Sequence, residues 1–376
     1  MSCDYYRLPH PGIQSLKPYV PGKSIEELSR EQGINDADII KLASNENPLG
    51  CSPRVHQALT QLTPAQLAAY PSPANHPVQR KLSQKLGVSE NMLTLGNGSD
   101  LLFSLILTTF ALHSNRAMLT HDYAFISYRI QAQTLGIPVI SIPLQSDWQV
   151  DIDPIVKASQ DNIAVLFLAN PNNPTGLFLE PEKIKHLLKQ VPATTIVVLD
   201  EAYYEYAYAY EDKNSISLLA QYPNLIITRT FSKAYGLASL RLGYAIASPT
   251  ITELLLRVQP PFAVNQAALD AANAALDDEE FIKQAIELNV KGMQQIKHGL
   301  ERLKLDFLPS RGNFITFDCQ TNSLPIYQEL LKQGIIVRPL HPYGLPNHLR
   351  VTIGNPAQIE YFLDKLATCL SKIRNL

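Results

Sequence analysis

The stretch Asn224–Ser248, NLIITRTFSKAYGLASLRLGYAIAS, sets two short apolar runs on either side of one lysine, Lys233. Runs so nearly free of polar residues are what strands covered on both faces require. The stretch therefore reads as strand, loop, strand, with Lys233 just past the first strand. A lysine that only solubilises a surface is usually surrounded by other charges. Lys233 stands instead among small residues, with Arg241 eight places on. Alone, such a Lys/Arg pair reads as a solvated surface; with partners elsewhere, it reads as chemistry.

Working outward, MLTLGNG, AMLTHD, IPVISIPL, IAVLFLANP and TIVVLDEAY supply five more candidate strands, making seven with NLIITRTF and LGYAIAS. Helical patterns such as LLFSLILTTFAL and PEKIKHLLKQV lie between several of them. Strands alternating with helices predict an α/β architecture, a mostly parallel seven-stranded sheet between helices. After Pro260 and Pro261 the texture changes. A helical region over 267–303 is followed by the strands NFITFD, IIVRPL and HLRVTIG and the helices LPIYQELLKQG and PAQIEYFLDKLATCLSKI, which predicts a smaller α+β domain. The expected division is an arm over 1–34 with one short helix at SIEELSREQG, a large domain over 35–260 and a small domain over 261–376.

Composition narrows the partners. The 376 residues are 45% hydrophobic and 18% charged, with a formal net charge of −2, so the basic footprint of a nucleic-acid binder is missing. No apolar run is long enough to span a membrane, and MSCDYYRLPHPG lacks the basic and apolar regions of a secretory signal. Cys3, Cys51, Cys319 and Cys369 are scattered without metal or disulfide spacing and read as reduced thiols. The histidines show no metal-ligand pattern either. The expectation is a cytoplasmic, metal-free protein acting on small molecules.

Ligands of open α/β sheets bind at the carboxyl ends of the strands, and there the chain places LGNGSD, NPNNPTG, LDEAYYEY and RTFSK. Each has a plain reading. Gly96, Gly98 and Ser99 suit a turn and helix cap; the exposed N–H groups of Gly98, Ser99 and Asp100 also suit a phosphate. NPNNPTG suits a rigid loop, yet Asn173 is a neutral donor fit for a phenolate oxygen. Asp200 suits a cap or an ion pair, but a carboxylate after so apolar a strand is costly unless paired, and a buried cation such as a protonated pyridine would pair it. Lys233, partly desolvated beside other cations, would lose basicity and become a nucleophile, and Ser232 and Arg241 would complete a phosphate site. Phosphate cradle, phenolate donor, carboxylate and nucleophilic lysine together match the needs of pyridoxal 5′-phosphate.

The ordered series ASNENP, YPSP, GNGSD, NPNNPTG, LDEAY, SKAYGLASLR and LRVTIG resembles the fold-type I pyridoxal-phosphate aminotransferases, and among them the histidinol-phosphate branch. That resemblance implies that Lys233 bonds the cofactor, Asp200 partners its ring nitrogen, and Asn173 and Tyr203 contact its phenolate oxygen. Gly98, Ser99, Asp100, Thr230, Ser232 and Arg241 would surround its phosphate. Phe125 of FISY would stack on its ring, with Tyr123 the competing candidate. Ser239 stands where relatives often have glycine, with small size kept. Tyr70 would reach the cofactor phosphate of a neighbouring subunit, implying a homodimer. Tyr19, Asn45, Arg338 and Arg350 would bind substrate. The activity implied is transamination of histidinol phosphate with 2-oxoglutarate, giving imidazole acetol phosphate and glutamate. An aromatic amino acid aminotransferase and a phospho-amino-acid decarboxylase are the alternatives on the same fold.

Overall fold

The computed structural model describes residues 3–19, 21–209 and 214–374. A two-residue strand, β1 (Ile40–Lys41), precedes the large sheet, which holds β2 (Leu93–Gly96), β3 (Ala117–His121), β4 (Val139–Ile142), β5 (Ile163–Ala169), β6 (Ile196–Asp200), β7 (Leu225–Thr230) and β8 (Gly243–Ala247). Their order across the sheet is β2-β8-β7-β6-β5-β3-β4. Only β8 runs against its neighbours; the β3–β4, β3–β5, β5–β6 and β6–β7 pairs are parallel. All seven expected strands are present, and the α/β class with a mostly parallel seven-stranded sheet holds.

The near-continuous apolar runs have a direct cause. Leu166, Val197 and Ile227 join one hydrophobic core while their chain neighbours Phe167, Val198 and Ile226 join another. Successive side chains point to opposite faces, so a sheet buried on both sides can spare no polar position. Since β3, β5, β6 and β7 are parallel, their exits share one edge, and β8 begins at that edge because it runs the other way.

The smaller domain has a three-stranded sheet of order β11-β12-β9, formed by β9 (Phe314–Asp318), β11 (Arg338–Pro339) and β12 (His348–Thr352). The single strand expected at IIVRPL is divided. Its first half, β10 (Ile335–Ile336), pairs with β1, whereas Arg338 pairs with Arg350 on β12. Pro339 has no N–H to extend a ladder, and the two halves serve different sheets. The expected helix over 267–303 is also two helices, Gln266–Ala275 and Glu279–Arg302, because Asp278 accepts from Phe281 N and caps the second.

The arm holds the expected helix as Ile25–Gln32, capped by Ser24 and ended by left-handed Gly33. It also holds a helix the sequence did not announce, Pro11–Ser15. His10 Nδ1 accepts from Gly12 N, so Nε2 carries the proton and donates to Thr134 O at 2.8 Å; Gln133 donates to Ser15 Oγ at 2.7 Å. These bonds fasten the arm to the helix Ile126–Thr134. Leu269, Ala272 and Leu276 belong to the large core, whereas Leu42 belongs to the core of the smaller domain. We propose keeping the three expected units while drawing the second boundary by packing, near Asp278.

Candidate active site

The common edge of the sheet opens into a cavity walled by Ser99, Asp100, Phe125, Asn173, Asp200, Tyr203, Thr230, Ser232, Lys233 and Arg241. Ten residues expected from five separate loops thus meet at one place. Asp200 closes β6 and is 4% exposed. Its Oδ2 accepts from the Tyr128 hydroxyl at 2.5 Å and its Oδ1 from Thr228 Oγ1 at 3.2 Å. Burial raises its pKa to about 6, opposed by these two donors. Lys233, one turn past β7, donates to Ser44 O at 3.2 Å. Burial, then the nearby Arg350 guanidinium, pull its pKa down to about 8.

At the other end of the cavity the helix Gly98–Phe110 begins without a side-chain cap, since Asn97 makes no such bond. Gly98 has φ +71°, and a Cβ there would lie 2.5 Å from Arg241 Nη2. Arg241, itself left-handed at φ 54°, meets Ser232 Oγ and Asp100 Oδ2 at 3.4 Å each. Uncapped N–H groups, two hydroxyls and a guanidinium therefore converge, the donor set of an anion site.

Behind the cavity wall, the smaller domain reaches Asn173 through Arg350. Arg350 Nη1 donates to Asn173 Oδ1 at 2.6 Å and Nη2 to Ala43 O at 2.6 Å, while its buried Nε has no partner. Asn45 donates to the Tyr203 hydroxyl at 2.8 Å and accepts from Thr352 Oγ1 at 3.2 Å, so its amide is engaged within the protein. Burial pushes Tyr203 up to about 12, with Arg350 and Asn45 opposing. Arg338 Nη2 stands 3.5 Å from the Tyr19 hydroxyl. Phe125 faces the cavity, whereas the Tyr123 ring lies 5.4 Å from that of Trp148. Tyr70 lies apart, 80% exposed and stacked on Phe262 at 4.4 Å.

The aminotransferase class I and II family profile matches residues 37–366. The chain belongs to the class I and II aminotransferases. Among relatives of this aminotransferase, histidinol-phosphate aminotransferase 2 of Legionella pneumophila is 54% identical over 97% of this chain and 99% of its own. The protein of the same name from Pseudomonas fluorescens is 45% identical over 99% of this chain and 100% of its own. Among solved structures, histidinol-phosphate aminotransferase from Sinorhizobium meliloti, in complex with pyridoxal 5′-phosphate, superposes with a TM-score of 0.88 at 28% identity, covering 99% of this chain and 100% of that one.

The cavity of this aminotransferase fits pyridoxal 5′-phosphate, the cofactor its family resemblance implies. The anion cradle beneath Arg241 is one that any side chain at position 98 would invade. At the far end, a carboxylate held by neutral donors keeps a negative charge for a cation, and a lysine of lowered basicity stands nearby. Sequence reading missed Tyr128 and Thr228. Tyr128 follows Phe125 by one helical turn, a spacing visible in the sequence; Thr228 lies opposite Asp200 only through the β6–β7 register. Ser44 O and Asn47, whose amide donates to Ala234 O at 2.8 Å, were also missed, because backbone acceptors leave no mark in a sequence.

Proposed function

We propose that this protein transfers the amino group of L-histidinol phosphate to 2-oxoglutarate, giving imidazole acetol phosphate and L-glutamate, with pyridoxal 5′-phosphate bound through Lys233. The observation that carries the reading is the cavity itself, with Lys233 and Asp200 on its walls and the Gly98–Arg241 cradle at one end. The Legionella and Pseudomonas relatives named for this substrate support the choice of amine.

Bound pyridoxal phosphate supplies an electron sink for the charge left when the substrate Cα loses its proton. Lys233 would take that proton and hold it for return, and a pKa of about 8 suits an amine that must act as both base and acid. Asp200 holds the positive ring nitrogen by charge. Asn173 and Tyr203 orient the phenolate oxygen, while Ser99, Ser232, Arg241 and the N–H groups at Gly98, Ser99 and Asp100 hold the phosphate, with Thr230 beside them. Phe125, on the cavity wall, would pack against the ring.

Histidinol phosphate carries a phosphate ester and no α-carboxylate, whereas glutamate carries carboxylates. Arg350 and Arg338 serve both, since a guanidinium pairs with either anion. Tyr19 acts together with Arg338, and Asn45 acts on substrate and cofactor from behind Tyr203. Tyr70, exposed together with Phe262, completes the phosphate site of a second copy in a homodimer. Among the described residues no helix is long and apolar enough to cross a membrane; the location that goes with this reading is the cytoplasm.

The test is spectral. Addition of L-histidinol phosphate alone to the loaded protein should convert its visible absorption to that of the aminated cofactor, and L-tyrosine or L-phenylalanine should do so far more slowly. Faster conversion by an aromatic amino acid would move the substrate to that class. Carbon dioxide release in place of amino transfer would make the protein a decarboxylase.

A further inference from the structure

Both oxygens of Asp200 are already hydrogen-bonded, and both donors are neutral hydroxyls. A buried carboxylate is ordinarily paired with a cation, which cancels its charge. Here the donors stabilise the ionised form and leave the charge uncancelled, available to a cation entering the cavity. Tyr128 is the more constrained of the two. It has no exposed surface, its ring stacks on Phe167 at 4.6 Å and meets Phe103 edge-on at 4.9 Å, and it belongs to the helix that also carries Ser127, bonded to Asp100 at 2.5 Å. Packing on both faces fixes the direction of the hydroxyl, and a short O–H···O⁻ bond is among the stronger ones.

We propose that Tyr128 is a positioning residue that keeps Asp200 ionised and aimed into the cavity, and so sets the protonation of whatever ring nitrogen Asp200 faces. The inference rests on the assignment of Asp200 as partner of the cofactor nitrogen. The titratable and charged groups around Asp200 are Tyr128 itself, Asp100 from the helix Gly98–Phe110, Tyr203 from the loop after β6 and, on the walls of the same cavity, Lys233 and Arg241. Burial, and to a smaller extent Asp100, raise Asp200 while Tyr128 lowers it, so removing the hydroxyl leaves the opposing influences in place and Asp200 takes up a proton at higher pH. A protonated Asp200 must release that proton to hold a pyridinium, which weakens cofactor binding as pH falls.

The experiment measures pyridoxal phosphate affinity from about pH 5 to 9 for the wild type, Tyr128→Phe and Asp200→Asn, with apoprotein melting recorded alongside. Tyr128→Phe should weaken binding about ten- to a hundred-fold near neutrality, as expected for loss of a hydrogen bond to a charged group. It should also move the decline in affinity to higher pH. A merely structural role would lower affinity equally at every pH, and that result, or an unchanged affinity, overturns the proposal. Asp200→Asn separates the two levels: a wild-type profile in that variant defeats the assignment of Asp200 itself, whereas a flattened profile there with an unmoved Tyr128→Phe profile defeats only the role of Tyr128. Should Tyr128→Phe not fold, a fluorinated tyrosine placed at 128 keeps the ring and strengthens the donor. It should move the decline to lower pH, and an unmoved profile overturns the proposal.

Discussion

Lys233 shows how one residue serves two requirements. Taken out of water and held near an arginine, it has a pKa of about 8 against an ordinary 10.5. Lys233→Ala is expected to lower kcat by at least about 10³-fold, with the fold retained by circular dichroism; full turnover would defeat its assignment. The same shift has a consequence for stability. Because the folded pKa lies below the unfolded one, the unfolded chain binds more protons between about 8 and 10.5. The penalty for burying the ammonium is thus fully present below that window and is relieved as pH rises through it. The melting temperature of the apoprotein should therefore carry a contribution that rises across this range in the wild type and is absent in Lys233→Ala. Equal slopes would show that Lys233 is as well solvated folded as unfolded.

At the scale of elements, the Lys233 loop is held by a segment almost two hundred residues earlier. Ser44 O accepts from Lys233, Asn47 donates to Ala234 O, and Gly236, at φ +70°, lies so close that a Cβ would meet Gly50 O at 1.8 Å. Backbone blocks backbone there, with no flexible side chain to yield. Gly236→Ala should cost about 3 kcal/mol, read as a lower denaturant midpoint, and a wild-type midpoint would mean the two loops separate freely. The helices Pro53–Thr60 and Glu279–Arg302 are coupled in the same manner, since Ser52 caps the first and also donates to Asp278, which caps the second. Asp278→Ala should destabilise by about 1 kcal/mol. Less than half of that would mean that the cap is solvated.

For the whole molecule, the cavity is walled by the large domain and braced from the smaller one. The strand exits supply Asp200 and Lys233, while Arg350 reaches Asn173 from β12. Under the proposed function, a third contribution would come from a second copy. Tyr70 and Phe262 form a stacked pair that this protomer leaves exposed, an arrangement suited to an interface. Mixing subunits carrying Tyr70→Phe with subunits carrying Lys233→Ala should form hybrids in which one site has both native residues. Recovered activity would place Tyr70 across the interface; no recovery, with hybrids demonstrated by sedimentation, would place it in its own subunit.

The class of fold and most of the cavity were legible because their signals are local. Uninterrupted apolar runs mark strands buried on two faces, and the polar residues directly after them must lie at the sheet edge, which gathers Asn173, Asp200 and Lys233 without any knowledge of packing. What stayed hidden depended on distance. The division of IIVRPL between two sheets, the break before Asp278 and the docking of Pro11–Ser15 follow from partners far along the chain. So do the engagement of Asn45 by Tyr203 and the bonds that Tyr128 and Thr228 make to Asp200. Sequence alone determined which groups would be available at the ends of the strands. Only the tertiary structure decided which neutral donors meet the buried carboxylate, and so left its charge for a ligand, because hydrogen bonds between distant segments are set by strand register and helix packing rather than by local composition.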